Sequence, residues 1–406
     1  MVVALALAAC SGPSAATLDL PPQTEADLSA ELVEQLQGAV THAMAATGSP
    51  GAVVGVWAPW SGAWVAGLGT QQPAGAGGAV STDQPFKAAQ VTRAMTCDLL
   101  YLLAARGTVA LDDPVTQYVS GVADLSQVTL EQLCDGRAGI GTYSGQLLST
   151  WLTNPSRVWN PRELASYGLG VGRTAPGGPY RDSDASYVLL GVALEHASGV
   201  KAPQLIDEYI AGPLALTATQ LPADGEEVPS SMLPGYLSQR DAAGAMNCAA
   251  PLDITHLSAS TGFTDSGVVT DIHDLGRYAQ ALAAGALVPQ SADRLKDAQP
   301  AYDGAPSWFT VSGGVYSAGP LIGQFGSVPG YATAAFADPS SGLTIAVALN
   351  NSGAGAGPAL DLARELASIA SKAPAASGQT APEAGLPWTA QQFHDIITAN
   401  AICPIP

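Results

Sequence analysis

The sequence predicts an α+β protein, and three observations carry the prediction. A helical pattern near the N-terminus runs directly into a β-hairpin, strand-like segments return near the C-terminus, and the long middle is helical. Leu32, Leu36, Val40 and Met44 recur at four-residue spacing and predict a helix over about residues 28–47. Gly48-Ser49-Pro50-Gly51 ends it, as glycine and proline do. Ala52 to Trp57 and Ala63 to Leu68 then read as two strands turning at Trp60-Ser61-Gly62.

From about residue 89 to 264 the pattern is mostly helical with long loops. Residues 93–106 predict a strong helix closed by Gly107, and 129–135, 185–197 and 202–213 predict others. Ser266 to Asp271 leads into a further helix with Leu275, Tyr278, Ala279 and Leu282 on one face. Tyr331 to Ala337 and Leu343 to Leu349 predict strands joined by the turn Asp338-Pro339-Ser340-Ser341-Gly342. Residues 358–371 predict a closing helix, and an Ala/Pro/Gly-rich tail follows to residue 406 with one helical patch around Trp388 to Ala399. No repeat of solenoid period occurs.

At 406 residues the chain can bury a large core and divide into two lobes. Hydrophobic residues make up 47% and charged ones 12%, which places it with globular rather than disordered proteins. The net charge is −19, and no Lys/Arg cluster breaks the acidic surface. Nucleic acid and anionic lipid bound through a basic patch are therefore excluded as partners. The five histidines and the cysteines match no metal motif, so neither metal nor cofactor is expected.

Residues 1–27 read as an export signal and tether. Val2 to Ala9 is an apolar run too short to span a bilayer, and Leu7-Ala8-Ala9-Cys10 matches a lipobox. Cys10 is thus the expected lipidation site, with Ser11 to Thr17 a flexible tether and residues 18–27 a linker. Any membrane contact would then be through a lipid anchor only. Four cysteines remain, Cys97, Cys134, Cys248 and Cys403, and an even remainder outside the cytoplasm predicts two disulfides. The Ala/Gly-rich composition is that of a high-GC bacterium.

Three segments carry the frame of a serine acyl-enzyme. The first is Phe86-Lys87-Ala88-Ala89-Gln90-Val91-Thr92-Arg93. The second runs from Pro176-Gly177 through Asp182-Ser183-Asp184 to Tyr187-Val188-Leu189-Leu190-Gly191. The third is Gln324-Phe325-Gly326 ahead of Pro329-Gly330-Tyr331. Together these resemble the motifs of the β-lactamase-related serine hydrolases, a family of class C β-lactamases, D-Ala-D-Ala carboxypeptidases and related esterases. Its members read roughly Phe-x-x-Ala-Ser-Val-Thr-Lys, then Pro-Gly…Tyr-Ser-Asn…Tyr-x-Leu-Leu-Gly, then His-x-Gly or Lys-Thr-Gly. The resemblance places Gln90 at the nucleophile, Arg93 at its base, Asp182 at the catalytic Tyr, Asp184 at the Asn and Gln324 at the head of the third motif. A non-catalytic landmark, Leu-Leu-x-His-Thr-Ser-Gly, survives only as Leu133-Cys134-Asp135-Gly136-Arg137-Ala138-Gly139. An amide cannot be acylated and released as a hydroxyl can, and a guanidinium stays protonated at physiological pH. Nucleophilic catalysis needs both a nucleophile and a group that takes its proton. The four departures together read as a retired active site.

The resemblance covers residues 28–371 and implies a β-lactamase/transpeptidase-like fold. Residues 28–88 and 265–371 would form one antiparallel sheet flanked by helices, residues 89–264 an all-helical lobe, and residues 372–406 a C-terminal extension. The site would lie between the lobes, with Gln90, Arg93, Asp182, Asp184, Gln324 and Gly326 as cleft residues. The family fold also favours Cys97–Cys134, leaving Cys248–Cys403 to staple the tail. Arg93 is expected to bond Asp182, Asp184 or both. A divalent-cation site on Asp135, Asp182 and Asp184 is the weaker alternative, since the ligand spacing is irregular. Ser198-Gly199-Val200-Lys201 contains a literal Ser-x-x-Lys, but at a helix end with an internal Gly, where chance explains it. The expectation is an extracytoplasmic lipoprotein without acyl-transfer activity that binds a cell-wall peptide or an envelope protein. The competing expectation is a hydrolase with a displaced nucleophile at Thr92, Thr96, Ser183 or Ser198.

Overall fold

Ser29 accepts the amide N–H of Leu32 and starts the first helix, which Gly48 closes in a left-handed turn at φ 67°. These signals are local, and the computed structural model follows them. It describes residues 15–405 except 224–225, 227–228, 242, 290–292 and 384. Cys10 and the lipobox lie outside the described residues.

In chain order, α1 (Ala30–Thr47) leads to the hairpin β1 (Gly51–Ala58) and β2 (Gly62–Gly69), then a short β3 (Phe86–Lys87). The middle follows with α2 (Val91–Ala105), α3 (Leu130–Cys134), α4 (Ser144–Thr153), α5 (Pro161–Leu169) and α6 (Asp184–Ser198). Next come α7 (Ala202–Ile206) and, past a π-turn, α8 (Gly212–Leu214), with β4 (Tyr236–Leu237) and β5 (Leu252–Asp253) as a small hairpin. After α9 (Phe263–Ser266), β6 (Val269–Thr270) and α10 (Ile272–Ala283) the chain returns to strands. These are β7 (Gln299–Pro300), β8 (Phe309–Ser312), β9 (Val315–Ala318), β10 (Leu321–Val328), β11 (Tyr331–Ala337) and β12 (Thr344–Leu349). The last helices are α11 (Gly357–Ala370) and α12 (Ala390–Ala399).

One eight-stranded antiparallel sheet runs β2-β1-β12-β11-β10-β9-β8-β7. Its central seam joins the two ends of the chain, with Val54 opposite Val347. Period-two alternation sorts the strand residues between two cores. Val54, Val56, Ile345, Val347, Ala334 and Phe336 face α1, α11 and α12, whereas Val53, Ala346, Ala348 and Ala335 face the core shared with α2 and α10. That second core continues without a break into the helical middle, through Leu130, Tyr187, Leu190 and Ile206. The fold is the expected β-lactamase/transpeptidase-like one.

Both disulfides form as expected, Cys97–Cys134 with Cα atoms 5.7 Å apart and Cys248–Cys403 with 5.8 Å. The first ties α2 to the end of α3. The second anchors the chain beyond α12. The tail packs into the core: Trp388, Phe393 and Ile397 are buried beside α1 and α11, and Trp388 Nε1 donates to the Arg364 carbonyl at 3.0 Å.

Several elements exceed the sequence expectations, among them α4, α5, the β8–β9 hairpin and the β4–β5 pair, which falls within residues 89–264 where only helices were expected. Asn160 caps α5 and Pro161 occupies its first turn, a signal that the sequence does carry. The start of α4 has no local side-chain cap, and a carboxylate from forty residues away supplies one. The β8–β9 hairpin turns on Gly313 and Gly314, both at positive φ. A side chain at Gly314 would also strike the Cys97 sulfur, so glycine is required there twice over.

Candidate functional site

The first motif sits where β3 ends and α2 begins. β3 pairs with β6, which holds Lys87 opposite Val269, and Ala89 then turns through φ 50° to deliver Gln90 at the head of α2. A left-handed non-glycine residue beside a site stores local strain. The Gln90 side chain lies over Gly326 on β10, in the space that a methyl group at 326 would need. Its Oε1 is buried without a hydrogen-bond partner among the described residues. Leaving such an acceptor unpaired costs about 1–3 kcal/mol.

Arg93 lies one turn deeper, 4% exposed. Its Nη1 donates to Asp182 Oδ1 at 2.5 Å and its Nε to Asp265 Oδ1 at 2.7 Å. The guanidinium also stacks over the Tyr187 ring, 4.7 Å from its centre. Burial works against the charge, but Asp182 and Asp265 outweigh it and raise the Arg93 pKa well above its ordinary value. Burial pushes Asp265 up to about 6, against the pull of Arg93. The two carboxylates differ in kind: the Asp182 side chain is 67% exposed and that of Asp265 only 3%.

Asp184 does not bond Arg93, contrary to the alternative pairing expected above. It begins α6 beside the Ser183 cap, and its carboxylate accepts from the backbone N–H groups of Tyr143 at 2.7 Å and Ser144 at 2.9 Å. Thr142 Oγ1 donates to the same carboxylate at 2.5 Å. These bonds are what start α4. Asp135 accepts from the Gly313 N–H at 2.8 Å instead of turning toward Asp182 and Asp184. Among the described residues no His/Cys/Asp/Glu group is arranged to hold a metal, so the cation alternative on those three aspartates has no geometric basis.

Gln324 is buried on the same β10 face as Gly326. Its Nε2 donates to the Gly314 carbonyl at 2.8 Å and its Oε1 accepts from the Phe325 N–H. The structure therefore brings Gln90, Arg93, Asp182, Asp184 and Gly326 to one place and leaves Gln324 beside it, satisfied by backbone groups. Lys87, Gln90, Tyr143, Asp184, Asp265 and Ser266 line a narrow cleft of about 40 Å³ between the helical middle and the sheet. The cleft widens outward into an open groove walled by Leu148, Trp151, Leu237, Val328 and Pro329.

Residues 36–368 match the Beta-lactamase family model. The chain belongs to the β-lactamase family. A D-alanyl-D-alanine-carboxypeptidase/endopeptidase, AmpH of Escherichia coli, is 29% identical over 147 residues. That match covers 34% of this chain and 37% of the relative, so it spans little more than a third of the curated protein's length. A D-stereospecific amidohydrolase from Streptomyces sp. superposes with TM-score 0.66 at 23% identity, over 78% of this chain and 94% of the other. D-amino acid amidase from Ochrobactrum anthropi SV3 gives 0.67 at 20% over 79% and 92%. A penicillin-binding protein homologue from Pyrococcus abyssi gives 0.67 at 21% over 79% and 74%. These structural likenesses establish the β-lactamase-family fold alone.

Within that family frame, the hydroxyls suggested as displaced nucleophiles are engaged elsewhere. Thr92 Oγ1 accepts from the Val268 N–H, and Thr96 donates to the Thr264 carbonyl at 2.7 Å. Ser183 caps α6 and donates to Gly141 O, and Ser198 bonds back to Leu194 O at the far end of the same helix. None of the four lines the cleft.

Two site residues escaped sequence reasoning. Asp265 belongs to no motif, yet an arginine on an apolar helix implies a buried carboxylate somewhere in the chain. Lys87 occupied an unassigned motif position. It is 4% exposed, its Nζ donates to the Leu257 carbonyl at 3.1 Å, and burial lowers its pKa to about 8.

The two aspartates predict unequal losses. Asp265→Ala leaves a buried cation half-compensated and should lower urea-unfolding stability by about 3 kcal/mol, whereas Asp182→Ala removes an exposed partner and should cost less than about 1 kcal/mol. Equal losses would contradict the assignment of Asp265 as the principal counter-ion. Lys87 predicts a pH effect. Its folded pKa is lower than its unfolded one, so between pH 8 and 10.5 only the unfolded chain still holds the proton, and rising pH favours folding there. Relative to Lys87→Met, the native protein should gain up to about 3 kcal/mol from pH 7 to 10, read from paired unfolding curves. A constant difference across that range would refute it.

Proposed function

We propose that this protein is an exported, lipid-anchored member of the β-lactamase family that has given up acyl transfer and binds an envelope ligand in its cleft. One observation carries the reading. At the position of the family's base stands an arginine clamped between Asp182 and Asp265, next to an amide at the position of the nucleophile. A guanidinium held by two carboxylates cannot accept a proton, and an amide forms no ester with substrate. An open groove of about 210 Å³ adjoins the cleft, which supports a binding role. The names of the relatives point to D-amino-acid amides and peptides, which favours a cell-wall peptide as ligand. The lipobox at Cys10 and the two disulfides favour an extracytoplasmic, membrane-anchored location.

A hydrolase with a displaced nucleophile is the second reading, favoured by one feature. Ser266 and Lys87 line the same cleft, and an amine with pKa about 8 is within the range of a general base. Incubation with a fluorescent penicillin followed by intact-mass measurement separates the two. The binding reading expects the unmodified mass together with a rise in melting temperature on adding muropeptides. A stoichiometric covalent adduct would overturn it in favour of the hydrolase. Cells fed an alkyne-tagged palmitate should label the native protein and not Cys10→Ser; equal labelling would remove the anchor.

A further inference from the structure

The cleft contains charge and hydrogen-bonding capacity that the protein itself does not use. Lys87 is the clearest case. Its ammonium has three N–H donors, and the Leu257 carbonyl takes one of them. Among the described residues no carboxylate pairs with it, and desolvation alone accounts for its shift. The nearby acids are committed: Asp265 to Arg93, Asp184 to the start of α4. Gln90 Oε1 adds a buried acceptor with no donor among the described residues. Outward from this polar end, the Leu148, Trp151, Leu237, Val328 and Pro329 walls are apolar. A buried cation is costly unless an anion joins it.

We propose that the cleft takes a small organic monocarboxylate, its charge on Lys87, a neighbouring donor on Gln90 Oε1, and an apolar arm in the outer groove. This rests on the ligand-binding reading above and narrows it to a chemical class and an anion-receiving residue. Lys87 stands three residues before Gln90, at a position to which the family motif assigns no catalytic role. The inner cleft, of about 40 Å³, has room for a carboxylate-sized head, and the outer groove, of about 210 Å³, has room for the arm. Asp184 and Asp265 in the same lining disfavour a second negative charge, which is why a monoanion is specified.

Three related probes test the assignment by isothermal titration calorimetry on the intact protein. 3-Phenyllactate carries the carboxylate, the adjacent hydroxyl and a phenyl arm. 3-Phenyllactamide lacks the charge, and 3-phenylpropionate lacks the hydroxyl. The expected order is 3-phenyllactate tightest, 3-phenylpropionate several-fold weaker, and 3-phenyllactamide about ten-fold weaker or more. Lys87→Met should bring the acid and the amide to the same affinity. If the native protein binds acid and amide equally, the Lys87 assignment is wrong, although the cleft still binds. Undiminished preference for the acid in Lys87→Met overturns it as well. If none of the three binds, this ligand class is excluded, and the muropeptide melting experiment decides separately whether the cleft binds anything.

Discussion

Everything about the site follows from the burial of α2 on all sides. Nearly every residue from Val91 to Leu103 is inaccessible, so no polar group on this helix can turn to water. Each must find an internal partner. Thr92 meets Val268, Arg93 meets Asp182 and Asp265, and Thr96 meets Thr264. Asp98 meets Arg294 and Tyr278, and Cys97 is bonded to Cys134. The helix is thereby fastened to α3, α9, α10 and the loop before α6. A catalytic serine and lysine would have the same demand for precise placement. Here Gln90 and Arg93 receive that placement.

The substitutions at the site are mutually consistent in charge. Arginine cannot shed its proton on burial as lysine can, so its presence requires standing negative charge nearby. Asp265 provides that from inside the core and Asp182 from the rim. Gln90 fills the space above Gly326 that a smaller side chain would leave open. Lys87 shows the complementary behaviour: burial lowers its pKa to about 8, and among the described residues its hydrogen-bond partner is the Leu257 carbonyl. One buried cation in this cleft is neutralised by protein carboxylates, and the other is not.

Much of the architecture was readable because its signals are local. The α1 cap and its glycine stop, the β1–β2 hairpin and the β11–β12 turn all depend on neighbours within a few residues. The motif frames singled out Gln90, Arg93, Asp182 and Asp184 through their flanking hydrophobic and glycine positions, and the fold gathers these residues around the head of α2 and the start of α6. Other features were hidden for a physical reason. The cap of α4 is the Asp184 carboxylate, which arrives only after α5 and α6 have packed. The tail looked like an appendage, yet Trp388 and Phe393 complete the core against α11.

Composition, periodicity and motif spacing therefore determined the family, the order of elements and the expectation of two disulfides, while the family resemblance implied which cysteines pair. They could do so because each is written in residue type and short-range pattern. Tertiary structure alone decided which carboxylate neutralises Arg93, what Asp184 is for, and that Lys87 lines the cleft without a counter-ion among the described residues. Those are questions of distance between segments remote in sequence, and a buried charge selects its partner by proximity in the folded chain.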